Sequence, residues 1–484
     1  MKRIEEAAFS RGVPAAGLME EAGRGIARIV RDFHPVPGRC VVFAGKGHNA
    51  GDAFVAARHL AAWGWRIDLR LAFPPPELAP LAAEMLARVP DTSGTEPASS
   101  ALVAIDGLLG IGARGEPRGA VAEAIAALNG LREQEGAWTL AIDLPSGLDG
   151  DSGVPAAVCV RADLTAAIAC AKSGLVADSA VNAVGRLAVV PLDALPAPES
   201  RWRVTLPQEV RHWLPVRAFD THKGMCGRLG IVAGSPGFFG AARMCSAAAV
   251  HAGGGLVTVY ALPESAPLLA ALCLPEVMVK TVSSYREALR DSLDVLAIGP
   301  GLGRDHDADV LALIRDARQP VIVDADALNA LSQDPALLGV CAGPRLLTPH
   351  PGEMQRLFPQ NARTRREWLE DFLERYPATL LLKGARTLIG RRGGDRFYNT
   401  TGNPGMASGG MGDVLTGVCT ALAAQVCGPD DDHLLHAAVL GAWLCGRAAE
   451  HEVFGSSGSP ESLSATAVIG NLGPAFRALR SSWI

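Results

Sequence analysis

The feature that most constrains the fold is a repeated alternation between short strand-like runs and helical stretches. Each run is rich in aliphatic or β-branched residues, ends in a turn that contains glycine, and is followed by a segment rich in Ala and Leu. This alternation is typical of parallel sheets covered by helices on both faces, in which ligands bind at the carboxyl ends of the strands. The predicted strands include residues 40–44, 102–105, 140–142, 229–232, 295–298, 321–323 and 379–382.

The length of the chain predicts two domains. A chain of 484 residues exceeds what one hydrophobic core usually supports. A proline-rich stretch at residues 191–198, followed by Arg201 and Trp202, interrupts the alternation, which restarts after about Lys223. We therefore place the boundary at about 195–205 and predict domains at residues 1–200 and 201–484.

The composition argues against a nucleic acid or a membrane as partner. The formal net charge is −5, so the chain lacks the basic surface that a nucleic-acid groove or an anionic membrane requires. Residues 1–12 lack the apolar stretch of a secretory signal, and no run approaches the roughly 18 apolar residues of a membrane span. We therefore expect a cytoplasmic protein.

The cysteines do not follow a metal or redox pattern. Ten cysteines lie between Cys40 and Cys445, and no two have the C-x-x-C spacing of zinc sites and thioredoxin-like motifs. We therefore predict buried free thiols rather than disulfides.

A glycine-rich turn follows the first predicted strand. Residues 45–52 read Gly-Lys-Gly-His-Asn-Ala-Gly-Asp, and a helical stretch is predicted for residues 53–63. Small residues let backbone N–H groups face an anion at the start of a helix, while the oxygen atoms of Asn49 and Asp52 can bind a cation or a ribose. The glycines alone fit a simple tight turn equally well, so the two polar side chains carry the indication of function.

Two further predicted strands in the first half are followed by an acid. Asp106 begins the segment Asp-Gly-Leu-Leu-Gly-Ile-Gly, and Asp143 begins the segment Asp-Leu-Pro-Ser-Gly-Leu-Asp. A single Asp at a strand end is more often a cap or a turn residue than a functional one. Because parallel strands end at the same edge of a sheet, we expect the three polar strand ends to converge on one crevice, which favours a function.

Together these segments resemble the YjeF N-terminal family, the NAD(P)H-hydrate epimerases, over roughly residues 10–190. The glycine-rich turn of that family usually reads Asn-Asn-Gly-Gly-Asp, whereas this chain has His48 and Ala50 in the turn. The remaining matching segments are residues 18–23, 57–60, 106–112, 143–147 and 162–165, the last of which leads to Lys172.

The resemblance implies that the first half interconverts the R and S hydrates of NADH and NADPH. This epimerisation needs proton transfer but no redox change, and Asp143 is the candidate acid or base, assisted by Lys172. The resemblance also implies a potassium ion held by Asn49, Asp106 and Ser146, since oxygen ligands suit a hard cation. The implied substrate contacts are His48, Asn49, Ala50, Gly51, Asp52, Gly110, Ile111, Gly112, Ala113, Arg114, Gly115, Glu116 and Asp143.

The second half contains a denser glycine-rich loop. Residues 400–417 read Thr-Thr-Gly-Asn-Pro-Gly-Met-Ala-Ser-Gly-Gly-Met-Gly-Asp-Val-Leu-Thr-Gly and lead into a predicted helix. Such a loop forms an anion hole of backbone amides suited to a phosphoryl group, and Asp413 is placed to take a proton from an attacking hydroxyl group. The loop lacks the G-K-[S/T] ending of a Walker A motif and does not match the G-x-G-x-x-G dinucleotide motif.

This loop resembles the phosphate-anion hole of the ribokinase-like superfamily, and its neighbours resemble one branch of it. Segments at residues 222–224, 234–236, 240–242, 252–258, 275–278, 299–303, 324–329, 347–354 and 382–387 are similar to the YjeF C-terminal family, the NAD(P)H-hydrate dehydratases. The resemblance covers about residues 205–480. It implies a Rossmann-like three-layer αβα domain followed by a ribokinase-like αβα domain, both with mainly parallel sheets.

The resemblance also implies ADP-dependent dehydration of the S hydrate to NAD(P)H, with release of AMP and phosphate and with magnesium in this half. Other members of the family use ATP, and the composition of the sequence leaves the choice of donor open. Ala241, Gly301, His350 and Asp413 are the residues implied to face the hydrate. The implied contacts to the adenine nucleotide are Lys383, Gly384, Ala385, Arg386, Thr387, Asn403, Pro404, Gly405, Met406, Ala407, Ser408, Gly409, Gly410, Met411 and Gly412.

Several alternatives stay open at this point. A ribokinase-like anion hole also serves small-molecule kinases, which form a stable phosphorylated product, but a kinase leaves the first half unexplained. The first half can also be a non-catalytic ligand-binding module, which the departures at His48 and Ala50 favour. Asp324 and Asp326 can be helix caps or magnesium ligands. We further expect a homo-oligomer.

Overall fold

The computed structural model describes residues 4, 8–196, 198–360, 364–426, 432–455 and 458–481. The chain divides into two compact units, and the division falls between Ser200 and Arg201. The nine cysteines among these residues are free thiols rather than disulfides, as predicted, and Cys427 lies outside the described residues. The predicted burial is confirmed for five of the nine, whereas Cys159, Cys170, Cys273 and Cys341 are only partly buried. Within the described ranges, no helix has the length and apolar character needed to cross a membrane.

The first unit is built on a six-stranded sheet in which every pairing is parallel. The strand order is β2-β1-β3-β4-β5-β6, so β2 is added on one side of β1 and the later strands are added on the other side, beginning with β3. Predicted strands 40–44, 102–105 and 140–142 are confirmed as parts of β1, β3 and β4. The strands are β1 (Arg39–Ala44), β2 (Arg66–Leu71), β3 (Leu102–Gly107), β4 (Trp138–Ile142), β5 (Leu164–Ile168) and β6 (Arg186–Val190).

Helices cover both faces of this sheet. Consecutive residues of β1 face opposite sides of the sheet. Phe43 packs in one apolar cluster with Ile125, and Ala44 packs in another with Phe54. The helices are α1 (Ala15–Phe33), α2 (His48–Ala62), α3 (Pro80–Leu86), α4 (Gly119–Glu135) and α5 (Val181–Val184).

The predicted boundary between the first glycine-rich turn and its helix was wrong. The turn was predicted to extend through Asp52, but α2 begins at His48 and Gly47 occupies its extended N-cap position. The glycines suggested a longer turn, yet Ala50 is fully buried in the apolar cluster of α1 and α2, and this burial favours helix. Residues 48–52 are therefore the first helical turn.

The second unit contains a ten-stranded sheet of order β10-β9-β8-β11-β12-β13-β14-β15-β16-β7. Only β15 runs antiparallel to its neighbours in this sheet, since it forms a hairpin between β14 and β16. The four strands predicted here are confirmed within β8, β11, β12 and β14. The strands are β7 (Trp202–Val204), β8 (Arg228–Val232), β9 (Leu256–Ala261), β10 (Val277–Thr281), β11 (Val295–Ile298), β12 (Val321–Val323), β13 (Arg345–Leu347), β14 (Thr379–Leu382), β15 (Thr387–Gly390) and β16 (Arg396–Asn399).

Helices cover both faces of this sheet as well. The largest apolar cluster joins Ile231, Ile322 and Leu381 to the helices that begin at Phe239, Met411 and His433. On the other face, Leu373 packs against Gly390. The mixed α/β class with mainly parallel sheets is thus confirmed. The helices are α6 (Pro207–Val210), α7 (Phe239–His251), α8 (Ala266–Leu272), α9 (Asp307–Asp316), α10 (Ala325–Leu331), α11 (Pro351–Leu357), α12 (Arg365–Arg375), α13 (Met411–Ala423), α14 (His433–Gly455), α15 (Ala465–Gly470) and α16 (Leu472–Ser481).

Candidate functional site

A buried carboxylate marks the crevice of the first unit. Asp106 lies at the end of β3 and is fully buried. Its Oδ1 atom accepts hydrogen bonds from Ser146 Oγ at 2.7 Å and Leu108 N at 3.1 Å, and its Oδ2 atom accepts one from Ser146 N at 2.7 Å. Ser146 Oγ in turn accepts a hydrogen bond from Leu109 N at 2.9 Å. The loops after β3 and β4 are thereby joined through Asp106 and Ser146.

Asn49 brings the start of α2 into the same crevice. Its Nδ2 atom donates hydrogen bonds to the carbonyl of Leu109 at 2.8 Å and to that of Ile142 at 3.3 Å. One carbonyl follows β3 and the other ends β4, so the three polar strand ends converge in the structure. Because the amide nitrogen faces both carbonyls, the amide oxygen Oδ1 is turned away from them and is available as an acceptor.

The electrostatics of this crevice suit a cation. Burial raises the pKa of Asp106 to about 6, although the hydrogen bonds from Ser146 and Leu108 act in the opposite direction. No Lys, Arg or His side chain in the described part of the chain forms an ion pair with Asp106. The amide oxygen of Asn49, the carboxylate of Asp106 and the hydroxyl group of Ser146 are therefore suitable ligands for a hard metal cation.

Asp143 and Lys172 form a second polar pair in this unit. Lys172 Nζ contacts Asp143 Oδ1 and donates a hydrogen bond to the carbonyl of Ile168 at 3.0 Å, while Asp143 Oδ1 also accepts one from Ile168 N at 3.0 Å. Asp143 has a positive φ of 65°, a strained conformation for a residue other than glycine. The pair therefore holds a carboxylate and an ammonium group together directly after β4.

The other substrate contacts predicted in this unit differ in exposure. His48 is exposed, but Ala50 is fully buried and a Cβ atom on Gly51 would lie 2.5 Å from Met19, so these two residues can offer only main-chain groups. Asp52 is 9% exposed at the end of this turn. Residues 112–116 form an exposed loop, in which Arg114 pairs with nearby aspartates.

In the second unit, Asp324 is the centre of a buried polar network. It follows β12 and is 1% exposed. Its Oδ1 atom accepts a hydrogen bond from Lys383 Nζ at 2.8 Å, and its Oδ2 atom accepts one from Thr416 Oγ1 at 2.8 Å. The ends of β12 and β14 are thus tied to the first turns of α13, and the side chain of Asp324 does not cap α10.

Lys383 lies among three carboxylates. Its Nζ atom is 3.8 Å from Glu353 Oε2 in addition to its ion pair with Asp324. Burial opposes its positive charge, but Asp324, Glu353 and Asp413 outweigh that effect and raise the pKa of Lys383. A Cβ atom on Gly412 would lie 3.4 Å from Lys383 Nζ, so the ammonium group stands beside the start of α13.

Asp413, which was predicted to act as a general base, presents its carboxylate in the first turn of α13. It is the third residue of α13 and is partly buried, and its carboxylate has no hydrogen-bond partner among the residues that the structure describes. Burial raises its pKa to about 6, Asp324 and Asp326 add to the rise, and Lys383 opposes it. A carboxylate with a raised pKa accepts a proton more readily than an ordinary one.

His350 caps a helix and exposes the rest of its ring. Its Nδ1 atom accepts hydrogen bonds from Gly352 N at 3.0 Å and Glu353 N at 3.3 Å, and Glu353 Oε2 accepts one from His350 N at 2.8 Å. This capping box fixes the start of α11. The side chain of His350 is 51% exposed, and its Nε2 atom lies 3.5 Å from Glu353 Oε1.

Ala241 and Gly301, both predicted to face the hydrate, lie against each other. A Cβ atom on Gly301, which has a φ of 59°, would stand 2.9 Å from Ala241 Cβ. Asp326 Oδ2 accepts a hydrogen bond from Gly303 N at 2.9 Å and so fixes this loop. The described ranges contain no group of three or more His, Cys, Asp or Glu side chains that could hold a metal ion.

The two predicted nucleotide segments are a hairpin turn and a loop. Thr387 Oγ1 closes the hairpin by donating to the carbonyl of Gly384 at 3.0 Å. Gly384 and Ala385 are exposed, whereas Arg386 is 3% exposed and its side chain is buried. In the loop, Gly410 has a φ of 88°, a conformation that favours glycine. A shallow pocket beside the loop is lined by Pro404, Gly405, Ala407, Ser408, Pro460, Glu461 and Leu463.

The sequence analysis missed two partners of this network. Thr416 lies three residues after Asp413 and is fully buried, and a polar residue on that face of an otherwise apolar helix was a readable signal. Glu353 lies three residues after His350, the spacing of a capping box. Neither signal identifies the partner, because Thr416 and Asp324 are 92 residues apart.

Comparisons with known proteins match both halves of the chain. A family model described as YjeF-related protein N-terminus matches residues 15–174, and a model described as NAD(P)H-hydrate dehydratase matches residues 229–465. Each matched range falls within one compact unit.

Relatives are similar over nearly the whole chain. The bifunctional NAD(P)H-hydrate repair enzyme Nnr of Moorella thermoacetica is 37% identical over 477 residues, covering 90% of this chain and 88% of that protein. The enzyme of the same name from Escherichia coli is 35% identical over 444 residues, with 88% and 84% covered. Among solved structures, the ADP/ATP-dependent NAD(P)H-hydrate dehydratase from Bacillus subtilis co-crystallized with ATP/Mg2+ is 28% identical, with a TM-score of 0.48 over 56% of this chain and 97% of that one.

Proposed function

This chain belongs to the family of bifunctional NAD(P)H-hydrate repair enzymes, and we propose that its first unit carries the epimerase and its second unit the dehydratase. The ranges matched by the two family models support this division. The alternative of a small-molecule kinase leaves the first unit without a role.

For the dehydratase we propose transfer of a phosphoryl group to the hydroxyl group of the hydrate. The hydroxyl oxygen attacks the terminal phosphorus of the nucleotide, Asp413 takes its proton, and the bond from that phosphorus to the bridging oxygen breaks. The lone pair of the ring nitrogen then expels phosphate, and loss of a proton from the neighbouring ring carbon restores the dihydronicotinamide. Phosphate leaves far more readily than hydroxide, which is the reason for the first step.

One observation carries this proposal: the carboxylate of Asp413 stands in the first turn of α13, near the ammonium group of Lys383, with no hydrogen-bond partner among the described residues. The amide groups at the start of α13 and in the preceding glycine-rich loop face an anion in such an arrangement, and the helix dipole favours it. Lys383 places a positive charge where negative charge develops on the transferred group. His350, Ala241 and Gly301 would border the hydrate.

We propose ADP as the donor, which gives AMP and phosphate as the other products. The described residues contain no group of carboxylates that could hold magnesium by itself, and Asp324 is already paired with Lys383 and Thr416. Magnesium would therefore arrive with the phosphates of the nucleotide, as it commonly does. No step above depends on it.

For the epimerase we propose that Asp143 and Lys172 handle the proton. Epimerisation breaks and remakes one bond at the hydroxyl-bearing carbon, so a paired carboxylate and ammonium group that gives and retrieves one proton suffices. Asn49, Asp106 and Ser146 would hold potassium, which would supply a fixed positive charge near the substrate. We also keep the cytoplasm and a homo-oligomeric state as predictions.

The dehydratase is tested by incubating the protein with both epimers of NADPH hydrate and either ADP or ATP. We expect the absorbance of the dihydronicotinamide to recover fully with ADP, and Asp413→Asn to abolish the recovery while the protein stays folded. Accumulation of a stable phosphorylated hydrate would refute the dehydration step and favour the kinase alternative.

The epimerase is tested in the full-length Asp413→Asn protein, in which dehydration does not remove either epimer. A purified R epimer should convert to the equilibrium mixture without nucleotide, as followed by chromatography. If the folded protein in potassium buffer leaves the R epimer unchanged, the first unit is a non-catalytic module.

A further inference from the structure

A buried ion pair on α14 contacts the beginning of the glycine-rich loop. Arg447 NH1 lies 2.9 Å from Glu450 Oε2, and the two residues are 6% and 1% exposed. The other carboxylate oxygen of Glu450, Oε1, accepts a hydrogen bond from Gly402 N at 2.8 Å. A buried ion pair seldom adds net stability, because desolvation offsets the attraction between the charges. A role in holding local geometry is the better explanation for this one.

The hydrogen bond to Gly402 belongs to a series along α14. Asn399 Nδ2 donates to the carbonyl of Ala442 at 3.3 Å, Thr401 Oγ1 donates to that of Trp443 at 3.0 Å, and Asn403 Nδ2 donates to that of Ala449 at 3.0 Å. The attachments on α14 thus span about two helical turns, or roughly 12 Å. The entry to the loop is fixed along the helix rather than at a single point.

The loop packs closely against the backbone of α14. A Cβ atom on Gly446 would stand 2.2 Å from Thr401 Oγ1, so the loop lies directly on the helix backbone there. Gly402 has a φ of 113°, a conformation that side-chain-bearing residues rarely adopt. In this conformation its N–H group donates to Glu450 Oε1.

We propose that Glu450, held by Arg447, is a positioning residue that sets the nucleotide loop from Gly402 to Gly412 in its binding conformation. The carboxylate fixes the first backbone amide of the loop, and Asn403 continues the attachment through Ala449. Neither charged residue needs to touch the nucleotide. This inference rests on the proposed function in assigning that loop to the nucleotide.

The test is a matched pair of double variants. Arg447→Met/Glu450→Gln and Arg447→Met/Glu450→Leu both remove the two charges of the ion pair together, so neither charge is left without the other. They differ in whether residue 450 can still accept the hydrogen bond from Gly402 N. Leu435→Ala serves as the control for stability, because it opens a cavity in the same helix about 22 Å from Glu450.

The readouts are the KM values for ADP and for the hydrate, the melting temperature, and the Kd for ADP measured by calorimetry. We expect the Leu double variant to raise the KM and Kd for ADP roughly tenfold to hundredfold. The Gln double variant and Leu435→Ala should stay within about threefold of the wild type, and the KM for the hydrate should change by less than about twofold in every variant.

Equal ADP affinities of the Gln and Leu double variants would overturn the inference, because the acceptor for Gly402 would then not matter. An equal rise in the KM for ADP in Leu435→Ala would also overturn it by showing a general effect of lost stability. Should the wild type bind ADP and leave the hydrate unchanged, the proposed function fails, while the ADP affinities still decide the role of Glu450.

Discussion

The raised pKa of Asp413 makes a quantitative prediction about the pH dependence of dehydration. With a pKa of about 6, the ionised fraction of Asp413 is about 0.9 at pH 7 and about 0.24 at pH 5.5. The kcat/KM for the hydrate should therefore fall roughly fourfold between these pH values. An aspartate with an ordinary pKa would remain about 98% ionised at pH 5.5, and the rate would be nearly unchanged.

The fall in kcat/KM at low pH is the acid limb of the pH profile, and replacing Lys383 should shift it in a definite direction. The positive charge of Lys383 lowers the pKa of Asp413, against the effects of burial and of Asp324. In Lys383→Met that charge is absent, so Asp413 holds its proton to a higher pH and the acid limb shifts upward. The variant also loses charge stabilisation of the phosphoryl group, and each protein must therefore be normalised to its own rate at pH 8.

The assay is the initial rate of absorbance recovery at limiting hydrate and saturating ADP, from pH 5.5 to 8. Lys280→Met is the matched control, because Lys280 also pairs with a carboxylate, that of Asp291, but its side chain is 45% exposed. A profile that stays flat to pH 5.5 in the wild type would refute the base role at the raised pKa. An acid limb that keeps its position in Lys383→Met would refute the electrostatic coupling.

Three further predictions concern the two units separately. Lys172→Met should slow epimer interconversion by about 100-fold or more, because it removes the partner of Asp143. Dehydration of the S epimer by the same variant, measured by absorbance, should stay near the wild-type rate. Potassium chloride should raise the melting temperature above its value in sodium chloride, and Asp106→Asn should abolish that difference in a thermal scan. Gly301→Ala should raise the KM for the hydrate and lower the unfolding free energy in urea by about 1–2 kcal/mol, because its Cβ atom would meet Ala241 at a positive φ.

The sequence analysis succeeded where local pattern and fold geometry agree. Asp106 and Asp143 follow apolar runs that end in glycine-containing turns, and parallel strands bring such ends to one edge of a sheet. The convergence of Asn49 with both loops could therefore be predicted without coordinates. The start of α2 could not, because the glycines at residues 45–51 indicate a turn while the burial of Ala50 depends on α1.

Pairings between distant residues were beyond the sequence analysis. The contact of Lys383 with Asp324 joins positions 59 residues apart, and the contact of Gly402 with Glu450 joins positions 48 residues apart. The resemblance implies that Lys383 contacts the nucleotide, which stays a prediction, and the structure pairs its ammonium group with the buried carboxylate of Asp324. A charged residue after an apolar strand signals burial near a ligand site, but its partner is decided by which strand ends are neighbours in the sheet.

The two units treat a buried carboxylate at a strand end in different ways, and the difference separates the two metal expectations. Asp324 has a cation from the chain itself, since Lys383 lies 2.8 Å away and Thr416 binds the second oxygen. Asp106 has only neutral donors among the described residues, and burial raises its pKa to about 6 although those hydrogen bonds act in the opposite direction. A carboxylate without a cationic partner gains most from an inorganic ion, so potassium fits the first unit. A carboxylate already paired with lysine has little to offer a metal, so we predict that positive charge at the nucleotide in the second unit comes from Lys383 and from the ion that accompanies the nucleotide.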